Sequence, residues 1–243
     1  MEKSVDSTLN PDALPSGKGE NAGNLHQPLY ILYTANLRGN LDLLPRLYTF
    51  IRQLKQTAPD LENEAMICMF EPVNYRTLLL DLGNSCANRV WHCDATGGRS
   101  TLIVLDAMGY DAANVSGFLT ADGREKLEGN VSVGLVDAMH TWHDGDVLVT
   151  NGSRRGEPPS QPCTLHIALT PATSTRLEGY TLYLASVEAE QVGMAQVANT
   201  GRKPALAAHE VFDLPRSTLH DPTIAATVAF VVSEARQYER KRG

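Results

Sequence analysis

The apolar and polar positions alternate in blocks that read as elements. Leu29-Tyr30-Ile31-Leu32-Tyr33-Thr34 is β-rich and apolar on both faces, as a central strand requires. A Gly-containing turn follows, Asn36-Leu37-Arg38-Gly39-Asn40. Leu41, Leu44, Leu47, Ile51 and Leu54 then recur at helical spacing and predict a helix over 42–57. The stretch from Ala58 to Arg76 is irregular and holds two prolines. Thr77–Leu82 predicts a second buried strand stopped by Gly83, and 85–98 reads as a loop. Ser100–Met108 predicts a helix with Gly109 as its left-handed stop, followed by a third short strand at Tyr110–Val115. This β-α-β-α-β order implies a parallel sheet with covering helices.

Beyond residue 130 the blocks shorten. Val131–Val136, Val147–Thr150, Thr164–Leu169, Tyr180–Glu188 and Val192–Val197 predict strands between Gly and Pro turns, hence a second, more antiparallel sheet. The chain closes on a helix, with Asp221 as N-cap and Pro222 at the first helical position. Ile224, Val228, Val231, Ala235 and Tyr238 form its apolar stripe, and the basic run Arg236 to Arg242 suits the negative pole of the helix dipole. The expected fold is α/β: a two-sheet sandwich with helices outside and a mixed or antiparallel second half, one domain over 28–243. Residues 1–27, rich in Ser, Asn, Gly, Pro and charge, read as a disordered tail.

Composition narrows the partners. A formal net charge of −7 argues against a fold-wide basic surface for nucleic acid. No apolar run approaches the ~20 residues that span a bilayer, so no membrane partner is expected. The N-terminus lacks an apolar core of signal-peptide length, which places the expected location in the cytoplasm. Cys68, Cys86, Cys93 and Cys163 show no CxxC spacing and read as buried thiols rather than a disulfide framework.

Three ordered stretches resemble the calcineurin-like metallophosphoesterases of the 5′-nucleotidase type. Ile31 to Leu41 resembles their strand ending in an Asp-x-His-Gly turn before a helix. Leu78-Leu79-Leu80-Asp81-Leu82-Gly83-Asn84 resembles their strand ending in Gly-Asp. Ala107 to Gly117, with Gly109-Tyr110-Asp111 inside it, resembles the helix, turn and strand before their Gly-Asn-His-Glu motif. The resemblance covers roughly residues 29 to 120 and implies a fold whose strand ends hold two metal ions.

The metal-ligand positions that the resemblance implies are altered. Asn36 stands at the first Asp, Arg38 at the His and Asn84 at the bridging Asp. Gly117, Phe118 and Leu119 stand where the Gly-Asn-His-Glu motif begins, and no Gly-His-x-His pair is visible. Divalent ions take charged oxygen or imidazole ligands. Asn offers only a neutral carbonyl oxygen, Arg repels a cation, and Phe and Leu cannot ligate. No metal or other cofactor is therefore expected. Asp81 survives one step before the ligand position and reads as structural.

Other candidates stand beside a plainer reading. His140, His143 and Asp146 lie within one short segment and could bind a transition metal. An extended segment would turn the two His to opposite faces, so a polar turn between strands is the plainer reading. His92 and Asp94, in Trp91-His92-Cys93-Asp94, lie in the loop after the altered Gly-Asp motif. Arg154 and Arg155, in Asn151-Gly152-Ser153-Arg154-Arg155-Gly156, could bind an anion, with a solvent-exposed hairpin turn as the plainer reading. Arg38 could replace the metal's charge and hold a phosphate or carboxylate bidentately, or pair with Asp81. The leading expectation is a non-catalytic relative that binds a small anionic ligand or a protein partner. Two alternatives are an active phosphohydrolase using Mn or Zn on His92, Asp94, His140, His143 or Asp146, and an assembly protein.

Overall fold

A computed structural model describes residues 28–57, 75–152, 164–199 and 203–242. The expected tail at 1–27, the two cysteines Cys68 and Cys163, and Arg154 and Arg155 lie outside the described residues. The six-residue run Leu29–Thr34 forms strand β1, every side chain buried. A 3-10 turn at Leu41–Leu43 leads into helix α1, Leu44–Thr57. β2 spans Arg76–Asp81 and runs parallel to β1, with Leu32 beside Leu79 and Thr34 beside Asp81. Helix α3, Arg99–Ala107, ends before Gly109, whose φ of +77° supplies the left-handed stop. β3, Ala112–Asn114, joins β2 in parallel.

Two expectations over this half are corrected. The segment read as a loop at 85–98 contains helix α2, Trp91–Thr96, whose buried side chains include His92, Cys93 and Thr96. Its inward face, His92, Cys93, Ala95 and Thr96, is small or polar and only about one turn and a half long, so no apolar period marked it. Cys86 and Cys93 are joined by a disulfide rather than standing as separate thiols.

Helix α4, Ala121–Leu127, is capped by the Thr120 hydroxyl accepting from the Gly123 amide. β4, Gly134–Val136, extends the parallel run. β10, Gln191–Asn199, and β11, Pro204–Asp213, add antiparallel strands on the other side of β1. The resulting six-stranded sheet has the order β11-β10-β1-β2-β3-β4.

The second sheet, order β5-β6-β7-β9-β8, is mixed, within the mixed or antiparallel arrangement expected. It comprises β5 (Trp142–Asp144), β6 (Val147–Thr150), β7 (Leu165–Ala172), β8 (Arg176–Glu178) and β9 (Thr181–Ala185). β6, β7 and β9 are parallel, with β5 and β8 antiparallel at the two edges.

Two apolar layers hold this together. One joins α1, α3, α4 and the C-terminal helix α5, Pro222–Arg242, to one face of the six-stranded sheet through Leu32, Leu79, Met194, Leu102 and Val231. The other fills the space between the sheets with Ile31, Tyr33, Leu80, Val149, Ile167 and Leu182. Asp221 caps α5, its carboxylate accepting from the amides of Thr223 and Ile224 at 2.9 and 3.0 Å. Buried Arg99 ties α5 down through Glu234 at 3.4 Å and the Tyr238 ring at 5.0 Å.

Candidate functional site

The loops leaving β1 and β2 run side by side at the C-terminal end of the sheet. The Asn36 amide donates to Gly83 O at 3.0 Å, Arg38 to Asn84 O at 2.9 Å and Gly39 to Ser85 O at 2.7 Å. Asn36, Arg38 and Asn84 all adopt left-handed backbone, with φ of +57°, +51° and +61°. Asn tolerates this region better than most residues; Arg38 pays a conformational cost that the loop hydrogen bonds offset. The three altered motif positions are thus adjacent in space.

Their side-chain chemistry is fixed by one carbonyl. Asn36 Nδ2 lies 2.9 Å from Val187 O and 3.3 Å from Ser186 Oγ. A carbonyl only accepts, so the Asn36 amide nitrogen must face Val187 and its oxygen must face Asn84. Asn84 in turn donates from Nδ2 to Asn36 Oδ1 at 3.0 Å. A metal shared between these residues would need the opposite arrangement, two oxygens facing one point. Among the described residues no three His, Cys, Asp or Glu side chains group so as to hold a metal ion. The donor set does not fit the two-metal centre that the resemblance implies.

A third loop completes the rim. Asn114, buried at the end of β3, donates to Leu82 O at 3.0 Å and accepts from the Ser116 amide at 3.1 Å. Asn151, just past β6, donates to Ser116 Oγ at 3.3 Å. Gly117 is exposed, while Phe118 and Leu119 pack against the helical layer rather than facing the cleft. Sequence reading followed the motif to Phe118 and Leu119 and missed Asn114. Its one signal was a carboxamide ending an apolar strand.

Beneath the rim sits Asp81, fully buried. Its carboxylate accepts from the Gly83 amide at 3.0 Å, from Ser85 Oγ, and from Thr34 Oγ1 at 3.4 Å. Burial lifts this carboxyl to about 7, against the pull of those hydrogen bonds. Tyr110 donates or accepts at 2.9 Å with the Thr34 hydroxyl, and burial raises its phenol as well. Asp81 is a structural acceptor at the foot of both loops, as expected. It does not pair with Arg38, which is exposed and has no ion-pair partner among the described residues.

His92 braces the Arg38 turn from behind. Its Nε2 lies 2.9 Å from Gly39 O and its Nδ1 2.7 Å from Ser100 Oγ. The carbonyl fixes the proton on Nε2, so Nδ1 of the neutral ring accepts from Ser100. Burial lowers the imidazole pKa and favours that neutral form. Both ring nitrogens are therefore engaged. Cys93 is held in the disulfide, which removes it as a nucleophile.

The remaining candidates are dispersed. Asp94 is exposed on α2. His140 lies beyond β4, at the far side of the sheet, with Nδ1 2.8 Å from Asp137. His143 is exposed on β5, a strand rather than the expected turn. Asp146 pairs with Arg76 at 3.2 Å. Arg76 opens β2 while Asn84 lies past its end, so the Arg76–Asp146 pair and the amide rim sit at opposite ends of a strand whose five steps at about 3.3 Å span roughly 17 Å.

Comparison with known structures agrees with the architecture. The fold is similar to the crystal structure of the calcineurin-like phosphoesterase YfkN from Bacillus subtilis, with a TM-score of 0.53, 11% identity, and 88% of this chain matched to 99% of that one. A hypothetical protein from Thermus thermophilus aligns with a TM-score of 0.40 at 11% identity over 78% of this chain and 100% of that one. No family model and no curated protein matches the sequence. The chain has the calcineurin-like phosphoesterase fold.

Proposed function

We propose that this chain is a metal-independent protein on a phosphoesterase fold, whose strand-end cleft binds a small anion, a phosphate or a carboxylate, through Arg38. The observation that carries this reading is the oriented Asn36–Asn84 amide pair. It replaces two anionic ligands with a self-satisfied neutral contact and leaves a guanidinium as the charge of the turn. Arg38 suits the role. Its guanidinium is exposed, its backbone is pinned to the Asn84 loop, and it is not consumed by an acid among the described residues. A planar guanidinium can grip two anion oxygens at once, and a preorganised turn lowers the entropy lost on doing so.

Titration calorimetry with inorganic phosphate and with a nucleoside monophosphate tests the reading. Arg38→Ala should weaken binding by about tenfold or more, the value of one charge-assisted hydrogen-bonded contact. Elemental mass spectrometry on tag-free protein, before and after Mn²⁺ and Zn²⁺, tests the competing reading of a rearranged metal-dependent phosphohydrolase. Stoichiometric metal together with phosphoester hydrolysis would replace the anion-binding reading with that one. Its difficulty is chemical: His92 has both nitrogens engaged, and His143 and Asp146 lie on or beyond the far sheet.

A further inference from the structure

We propose that the Cys86–Cys93 disulfide is a reducible clamp on this cleft, holding the Arg38 and Asn84 turns in place when oxidised and releasing them when reduced. The inference rests on the proposed anion site only for its effect on binding; the effect on the loops stands without it.

The bridge closes the segment where regular structure is missing. Between the end of β2 and the start of α2 the chain passes through left-handed Asn84 and Arg89 with no strand or helix to hold it. Cys86 follows directly on Ser85, whose carbonyl accepts the Gly39 amide and whose hydroxyl donates to Asp81. Cys93 lies in the first turn of α2 beside His92, which donates to the Gly39 carbonyl. Gly39 therefore has both its amide and its carbonyl held by residues adjacent to the two bridged cysteines. It also packs directly on one of them: a Cβ at Gly39 would sit 3.1 Å from Cys93 Sγ, and 2.9 Å from Val90 Cγ1. Opening the bridge frees the two sides of this cradle to move apart.

The surroundings of the sulfurs accommodate the reduced state too. Thr101 Oγ1 lies 3.2 Å from Cys86 Sγ, and Ser100 Oγ lies 3.7 Å from Cys86 Sγ and 4.0 Å from Cys93 Sγ. Two thiols formed here would find hydroxyl partners already in place, so reduction need not leave buried polar groups unpaired. The sulfurs themselves are buried, and the short loop between the two cysteines carries exposed Asn88 and Arg89. Attack therefore waits on local opening of that loop. The exchange balances with a dithiol reductant. A thiolate attacks one sulfur to give a mixed disulfide, and the second thiol of the reductant resolves it. The reductant leaves oxidised to its own disulfide, and two electrons and two protons remain on Cys86 and Cys93.

Hydrogen exchange with mass-spectrometric readout on the full chain decides the matter, comparing protein prepared without reductant with protein treated with a small dithiol and then alkylated. A cross-linked Cys86–Cys93 peptide is expected in the first sample; its absence overturns the proposal. On reduction, amides of 36–40 and 83–92 should exchange about tenfold faster or more while β7 and β9 keep their rates, the pattern of local rather than global opening. Trp91 emission should change with the same time course. Unchanged exchange at 36–40, or acceleration spread evenly over the molecule, overturns the proposal. The double variant Cys86→Ser/Cys93→Ser should reproduce the reduced pattern, and reduction of the native chain still gives the answer if that variant fails to fold. Phosphate titration on both forms separates the two ideas: affinity a few-fold weaker after reduction supports the coupling to binding, whereas no phosphate binding in either form refutes the anion site and leaves the exchange result to judge the clamp.

Discussion

The two ends of the central sheet differ in how they treat charge. At the C-terminal ends of β1, β2 and β3 the rim is built from Asn36, Asn84, Asn114 and Ser116, neutral groups that satisfy one another, with Arg38 exposed beside them. The acid at that end, Asp81, is sealed beneath the loops. At the N-terminal end of β2 the arrangement is reversed: Arg76 is gripped by Asp144 and Asp146 across the inter-sheet gap. The first end is where the proposed anion site lies. Its carboxamides keep the hydrogen-bond geometry of a polar site while removing the anionic charge that would hold a cation. The difference teaches that the loops after β1 and β2 meet through neutral amides, whereas the start of β2 is tied to the second sheet by ion pairs.

Asp81 offers the largest effect with which to break that contrast. Its carboxyl stands at about 7 in the folded chain, against an ordinary 3.8. Between pH 4 and 7 the folded state holds a proton that the unfolded state has lost, so stability falls as pH rises through that window and levels off above it. The span of the shift sets an upper bound of about 4 kcal/mol. Chemical denaturation across pH 4 to 8 should show this slope in the native chain and lose it in Asp81→Asn. A slope that persists in the variant would mean another buried group carries it.

Gly39 sharpens the picture of the cleft as a rigid cradle. Its φ of +77° disfavours a side chain, and an added Cβ would press on Val90, His92 and Cys93. Gly109 has the same φ of +77° but nothing within 4 Å of an added Cβ. Gly109→Ala should cost about 1 kcal/mol from backbone strain, and Gly39→Ala about 2–3 kcal/mol from strain plus crowding. Paired thermal melts measure the difference. Equal losses would show that α2 yields freely and is no brace for the Arg38 turn.

Much of this arrangement could be read before the structure, and the limits have physical causes. β1 and β2 were legible as short unbroken apolar runs, and α1 and α5 because their apolar residues recur at helical spacing and are buried accordingly. The altered positions Asn36, Arg38 and Asn84 were legible because each sits at a turn directly after such a strand. α2 was not, since it is short and buries His92, Cys93 and Thr96, residues stabilised by local hydrogen bonds and a disulfide rather than by apolar spacing. β11 escaped because Pro204–Asp213 is a mostly exposed edge rich in alanine, without the alternation of a half-buried strand. The amide network was illegible for another reason. Which atom of Asn36 faces Asn84 is decided by Val187, some 150 residues along the chain.

That dependence predicts a smaller effect at Asn36. Asn36→Asp replaces the donor that faces Val187 O with an oxygen, setting acceptor against acceptor at 2.9 Å in a half-buried site. The variant should lose about 1–2 kcal/mol at neutral pH. Because the neutral acid can donate to the carbonyl and the carboxylate cannot, the folded pKa of the new group is raised. The lost stability should therefore return as pH falls through that raised value. Denaturation at pH 7.5 and pH 5 reads both parts. Stabilisation at neutral pH would show that the amide orientation is wrong and that the rim can accept a carboxylate after all.

The smallest effect lies at the opposite end. Arg76 donates from Nε to Asp144 at 3.0 Å and lies 3.2 Å from Asp146, but its side chain is about a third exposed and both acids are nearly half exposed. Solvent screens such a pair, so Arg76→Met should cost only about 0.5–1 kcal/mol, shrinking further in high salt. The methionine keeps most of the apolar stem against the sheet, which isolates the charge from the packing. More informative is what the substitution should leave alone. At roughly 17 Å from the amide rim along β2, with a Debye length near 8 Å at physiological salt, loss of this cation should not alter phosphate binding at Arg38. Unchanged affinity alongside a small, salt-sensitive loss of stability would establish that the two ends act separately. A change in affinity would mean that the charge at one end of the sheet sets the field at the other.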